Sequence, residues 1–189
     1  MKTAFKQSFA LTVILIVLFA FVYPLTISFI ALLSPGKGNG VKLSKNEKVI
    51  GYENIGQKFY SDRYFQGRPS AVDYNAAGSA GSNKGTTNPD YLKTVKERID
   101  TFLVHNPEVK RENIPADLVT ASASGLDPDI SPDAAYIQIK RIGKVRNLSE
   151  EQLNVLVGQQ IERPLFGLFG PSKVNVLKLN LALDNLSHK

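Results

Sequence analysis

The sequence predicts an α+β fold, with one N-terminal transmembrane helix followed by a single α+β domain. Three observations carry this. No charged side chain occurs from Gln7 to Gly36, and residues 9–33 are almost wholly Leu, Ile, Val, Phe and Ala. The polar remainder contains three helix starts, each a capping residue followed by apolar positions at helical spacing. Between them lie short runs that alternate apolar and polar residues, the pattern of half-buried strands.

A helix over 9–33 is about 37 Å long at about 1.5 Å per residue, against a hydrocarbon core of about 30 Å. Cleavable signal peptides have apolar centres of only about 7–15 residues and small residues at the cut. Here the run ends Ala31-Leu32-Leu33-Ser34-Pro35, so a retained anchor is expected. Pro24 lacks an N–H and crowds the preceding turn, which predicts a kink at Tyr23-Pro24. Tyr23 and Pro24 are therefore candidates for packing against other membrane helices, with Thr12, Thr26 and Ser28 as hydrogen-bonding groups. Residues 1–8 precede the span, 34–48 form a Gly/Pro-containing linker, and 49–189 form the domain.

Within the domain, Val49–Tyr52 and Lys58–Phe65 read as short strands. Arg68–Asn88 is a long loop rich in Gly, Ser, Ala and Asn, pinned at intervals by Tyr64, Phe65 and Tyr74. A helix is expected from Tyr91 to His105, capped by Asp90, with Leu92, Val95, Ile99, Phe102 and Leu103 as its apolar stripe. Leu118–Ala121 reads as a buried strand. Ser131-Pro132-Asp133 starts a helix that runs to Arg146 and buries Ala134, Ile137, Ile142 and Val145. Ser149-Glu150-Glu151-Gln152 is a capping box opening a helix to about Ile161. Val174–Leu183 alternates but changes phase, which predicts a strand with a bulge near Val176-Leu177.

Composition excludes several functions. The chain has no Cys, hence no disulfide, thiolate nucleophile or Cys-bound metal. Without Lys2 and Lys6, 21 basic residues face 17 acidic ones, a scattered net +4 that does not suggest nucleic-acid binding. Basic residues lie on both sides of the span, so charge alone leaves its orientation open.

The chemical motifs are sparse. Ser122 or Ser124 with His105 is the one arrangement resembling a serine hydrolase, and G-x-S-x-G is missing. His188 is close to the C-terminus. Asp127, Asp129 and Asp133 lack the glycine and terminal Glu of a calcium loop, and turn and helix-dipole chemistry accounts for them. Leu148–Gln152 faintly resembles an ABC-transporter signature without its glycines, which makes Gln152 the one candidate for ATP contact beside its capping role.

Several runs are specific when taken together: Tyr23-Pro24-Leu25, Ile55-Gly56-Gln57, Tyr64–Ala71 (YFQGRPSA), Tyr74-Asn75 and Ser79–Asn83. Leu118–Asp127 (LVTASASGLD), Ile130-Ser131-Pro132, Arg146-Asn147-Leu148, Val174-Asn175-Val176 and Leu179–Asp184 (LNLALD) complete the set. In this order they resemble KdpC, the C subunit of the bacterial high-affinity potassium-transporting P-type ATPase. The resemblance implies an accessory subunit with no catalytic site of its own, in the inner membrane, with its N-terminus cytoplasmic and its domain extracytoplasmic. The implied partners are a channel-like potassium subunit, an ATP-hydrolysing subunit and a small single-helix subunit, beside the lipid bilayer. It implies a catalytic chaperone that raises the hydrolysing subunit's ATP affinity, and ATP as a ligand only by family attribution. A domain across a bilayer of about 30 Å cannot touch cytoplasmic ATP, so the effect on ATP is expected to travel through the partners. The loops holding Arg68, Pro69, Ser70, Asn75, Ser79, Asn83, Ser122, Ser124 and Asp127 are then the candidate docking surface. Arg68 is favoured for its planar fork, with an internal ion pair as the alternative. A cytoplasm-facing nucleotide-binding regulatory domain is the rival to this placement.

Overall fold

The computed structural model describes residues 2–186, which fall into a unit ending at Lys42 and a unit beginning at Leu43. His188 lies outside the described residues. In the first unit, α1 (Lys2–Val17), a π turn (Leu18–Val22) and α2 (Tyr23–Ala31) make one unbroken helix. It is the one described helix long and apolar enough to cross a membrane, with a mean hydropathy of 2.7. The Pro24 irregularity takes the form of the π turn. Pro24 sits in the first turn of α2, and the Tyr23 N–H reaches back five residues to the Leu18 carbonyl. The widened turn makes room for the ring that a regular turn would crowd. Thr26 donates its hydroxyl to the Val22 carbonyl at 2.8 Å, within its own helix.

The second unit opens with a hairpin of β1 (Lys42–Lys45) and β2 (Lys48–Tyr52). Asn46 and Glu47 both have positive φ, as a tight primed turn requires. Residues 42–48 of the stretch expected as linker over 34–48 belong to this hairpin. Next come an irregular stretch and α3 (Pro89–His105), then two 3₁₀ turns (Arg111–Asn113 and Ala116–Leu118). Asn88, not Asp90, caps α3 by accepting from the Tyr91 N–H, and Pro89 fills the first turn. The chain continues through β3 (Asp129–Ile130), α4 (Pro132–Tyr136), α5 (Ile139–Arg146), α6 (Glu150–Gln159), β4 (Ile161–Glu162), β5 (Lys173–Asn175) and α7 (Val176–Leu186). The three short strands pair antiparallel in the order β3-β5-β4, with Val174 opposite both Ile130 and Ile161. α+β is the observed class.

Ser131 caps α4 and the Ser149–Gln152 box caps α6, as predicted. The helix from Ser131 is broken at Ile137-Gln138, so Val145 is exposed rather than buried. Two predicted strands are absent and a third is cut short. Lys58–Phe65 is irregular, and Leu118–Ala121 holds the end of a 3₁₀ turn, although Phe65, Leu118 and Val119 are buried. Beyond Asn175 the predicted bulged strand is helix α7. Its buried residues Val176, Leu177, Leu179, Asn180 and Leu183 fall on one helix face at spacings of three and four. Val176, Leu179 and Leu183 meet Phe65, Ile142, Leu153, Val157 and Val174 in one core.

Candidate functional site

The two loops singled out in the sequence are bonded to each other. Arg68 donates to Asp127 Oδ2 at 2.9 Å, and the Ser122 N–H donates to the Pro69 carbonyl. The Ser70 hydroxyl donates to the Gly125 carbonyl at 2.6 Å and accepts from the Val72 and Tyr74 N–H groups. Ser79 donates to the Ser124 carbonyl at 2.9 Å. Gly125 is required where the loops cross. Its φ is +68°, and a Cβ there would lie 2.6 Å from Val72 and 2.8 Å from the Ala80 carbonyl. The Tyr74 hydroxyl donates to the Arg68 carbonyl, and burial pushes its pKa up.

Each remaining predicted residue has a place. Asp127 Oδ1 accepts the Asp129 N–H, an Asx turn, and Ser124 Oγ accepts the Leu126 N–H. Asn75 Oδ1 accepts the Ala77 N–H, and Asn83 takes the left-handed conformation at φ 52°. Asp129 pairs with Lys173, and Asp133 sits in the first turn of α4. Gln152 is committed to its cap, accepting from the Ser149 N–H and hydroxyl. His105 Nδ1 lies 2.9 Å from Asp62, and no hydrogen bond joins His105 to Ser122 or Ser124 among the described residues.

Arg68, Pro69 and Ser70 form one wall of an open groove of about 460 Å³, with α3 residues Glu97, Arg98 and Phe102 opposite. Its cations are already engaged. Lys58 pairs with Asp73, which raises its pKa, and lies 4.5 Å over the Tyr60 ring. Arg98 donates to the Val119 carbonyl and Arg68 to Asp127. This wall is a braced platform more than an anion cradle.

Beneath it lies a buried polar frame that the sequence reading missed. Arg141 donates to Asn106 at 3.0 Å, to the carbonyls of Asp62 and Tyr64 at 2.6 and 3.1 Å, and to Gln138 at 2.8 Å. Burial pulls its pKa down to about 10. Gln138 and Asn180 each grip one residue of the same segment by both backbone groups, Gln66 and Phe65 respectively. Side chains from α5 and α7, and from the break before α5, therefore replace the ladder that a strand at 58–65 would have had. Asp184 in α7 accepts from Lys45 and from Arg146, each at 2.8 Å. Burial pushes its carboxyl up, but those bonds outweigh it and hold the group below the usual carboxylate range. The signal available was polar Asn180 and Asp184 inside an otherwise leucine-rich run.

A family model described as "K+-transporting ATPase, c chain" (KdpC) matches residues 5–185. Relatives described as potassium-transporting ATPase KdpC subunits are similar along almost their whole length. One from Flavobacterium psychrophilum is 60% identical over 176 residues, covering 93% of this chain and 95% of its own. One from Bacteroides thetaiotaomicron is 50% identical over 187 residues, covering 97% and 98%. One from Bacillus cereus is 47% identical over 179 residues, covering 93% and 92%.

Proposed function

The chain belongs to the KdpC family, and from that premise we propose that it is a membrane-anchored accessory subunit of a potassium-transporting ATPase complex. In this reading the 2–31 helix anchors it in the bacterial inner membrane, N-terminus inside and domain outside. The domain docks on the ion-conducting and ATP-hydrolysing subunits, with a single-helix subunit as the fourth member. The observation that carries the docking role is the mutual bracing of the 68–83 and 122–127 loops. Loops of small polar residues, normally mobile, are held here by an ion pair and side-chain-to-backbone bonds, so they present a preformed surface with little ordering entropy left to lose on association.

ATP affinity then rises through coupling. A domain separated from the nucleotide by about 30 Å of bilayer acts by favouring one conformation of its partners, and the partners' ATP affinity follows. The Gln152 capping contacts support this over direct nucleotide contact.

The test compares the wild-type complex with Arg68→Ala. The Arg68–Asp127 pair keeps about a quarter of its side-chain surface in water, and the Ser70 and Ser79 bonds still join the loops, so the loss should stay below that of a fully buried pair and leave the domain folded. The other subunits should co-purify less well, or the KM for ATP should rise with kcat little changed. Hydrolysis of ATP by this chain alone, or an unchanged KM for ATP in a complex lacking it, would overturn the reading. Because the chain has no cysteine, Lys84→Cys in the exposed loop reports topology. An impermeant maleimide should label it from outside intact cells, and labelling from the cytoplasm alone would favour the nucleotide-binding rival.

A further inference from the structure

The connection between β4 and β5 ends in an unusual tip. Leu165, Phe166, Leu168 and Phe169 are 63%, 82%, 80% and 65% exposed. Four large apolar side chains within five residues make a contiguous patch, of the kind that marks an interaction surface. Phe166 also holds a left-handed φ of 55°, beside Gly167 at 73°. That conformation is unfavourable for an aromatic residue, and here it displays the ring to solvent instead of burying it.

The backbone of the tip is closed upon itself. Leu165 and Phe169 exchange N–H···O bonds at 3.0 Å, Gly167 donates to the Pro164 carbonyl at 2.9 Å and Leu168 to Leu165 at 3.1 Å. A loop with its N–H groups so engaged can leave water at small polar cost, the condition for entering lipid. Arg163, at its base, is exposed and has no ion pair among the described residues, a free cation for anionic headgroups.

A Cβ at Gly51 would come within 2.8 Å of Leu177 at the start of α7, whereas Lys45, beside the hairpin turn, pairs with Asp184 near its end. The hairpin thus lies along α7, with the open end where the chain enters at Leu43 beside the N-terminus of α7. β5 runs directly into that same helix end. Ten residues, 32–41, separate the end of the apolar helix from β1, a reach of at most about 35 Å.

We propose that the Leu165–Phe169 tip inserts into the lipid interface, so that the second unit is held to the bilayer at two points, the anchor and this tip. The proposal rests on the anchor reading of residues 2–31. The chain has no Trp, so each substituted Trp is its own reporter. The full chain carrying Phe166→Trp is reconstituted in vesicles of phosphatidylcholine with phosphatidylglycerol, with and without brominated acyl chains. Phe19→Trp reports the anchor independently. The tip Trp should emit to the blue of its emission in detergent-free urea and be quenched by bromolipid, more so as the anionic fraction rises. Quenching of Phe19→Trp without quenching of Phe166→Trp overturns the tip proposal and leaves the anchor standing, whereas loss of both overturns the anchor. A Phe166→Trp blue shift only after the other subunits are added assigns the tip to a protein pocket and overturns lipid insertion. So does a blue shift that ignores bromolipid and grows with the protein-to-lipid ratio, which would mark self-association.

Discussion

Asn180→Ala tests whether side chains replace a strand ladder in this fold. Asn180 is 2% exposed and Phe65 fully buried. Asn180 Oδ1 accepts the Phe65 N–H at 2.8 Å and Nδ2 donates to the Phe65 carbonyl at 2.9 Å. Alanine abolishes both bonds and strands two buried backbone groups. At about 1–3 kcal/mol for each orphaned group, the expected cost is about 2–6 kcal/mol. Against a typical stability of about 5–15 kcal/mol this is a large fraction. The exposed Asn185→Ala, in the same helix, is the control and should change stability by less than about 0.5 kcal/mol. Urea unfolding of the full chain in detergent can be followed by near-ultraviolet dichroism, because all tyrosines except Tyr23 lie in the second unit. Hydrogen exchange over residues 60–67 reads the local effect, and protection there should fall well before global unfolding. A loss below about 1 kcal/mol with unchanged exchange at 62–66 would refute the reasoning, since the segment would then be held by packing alone.

Two further outcomes follow from the geometry. Asp184, with its folded pKa below the unfolded value of about 3.9, contributes stability that is complete above that value and lost as pH falls through the folded one. The wild type should therefore destabilise steeply below about pH 4, and Asp184→Asn should be flatter there yet weaker at neutral pH, measured as urea midpoints from pH 3 to 7. The neutral-pH loss should approach the about 3–5 kcal/mol of a broken buried pair, because Lys45 remains partly in water but the Arg146 side chain is only 4% exposed. Gly125→Ala puts a Cβ into the Ala80 carbonyl at positive φ, which should cost about 1–3 kcal/mol of backbone strain. Limited proteolysis should then cut within 70–83, and an uncut loop would show that the crossing tolerates the methyl group.

What was legible in the sequence is what local chemistry dictates. Ser131, Pro132 and Ser149–Gln152 mark their helices because capping is settled within four residues. Two local patterns point to strands that do not form. Leu177, Leu179, Leu181 and Leu183 satisfy a period of two, and only the buried set at 176, 177, 179, 180 and 183, with Leu181 left half-buried, reveals the helix. Residues 58–65 have strand-like composition, but the backbone bonds of Asp62, Phe65 and the following Gln66 come from Arg141, Asn180 and Gln138, 72 to 115 residues away. No local pattern announces such partners. At the candidate site, composition alone marks the loops as unusual, and it leaves Arg68 open between a docking contact and an internal ion pair. That pair is present, with Asp127. The apolar tip at 165–169 went unread because Gly and Phe in a turn carry no periodicity.

These particulars bear on how an accessory domain transmits force. The core sheet has strands of only two or three residues, too short to serve as a stiff beam. Stiffness comes instead from α7, which is gripped along its length. At its N-terminal end Asn175 donates to the Glu53 carbonyl at 2.8 Å, and Lys178 bridges Glu53 and Glu162. Near its C-terminal end Asp184 holds Lys45 and Arg146, and midway Asn180 holds Phe65. The hairpin that receives the chain from the anchor is thus tied to both ends of one core helix. Asn180 joins α7 to Phe65, and the chain from there leads into Arg68 and the braced loops. Two-point tying of this kind is what lets a domain without an extended sheet move as one body, and a rigid body is what a partner subunit needs if docking is to bias its conformation.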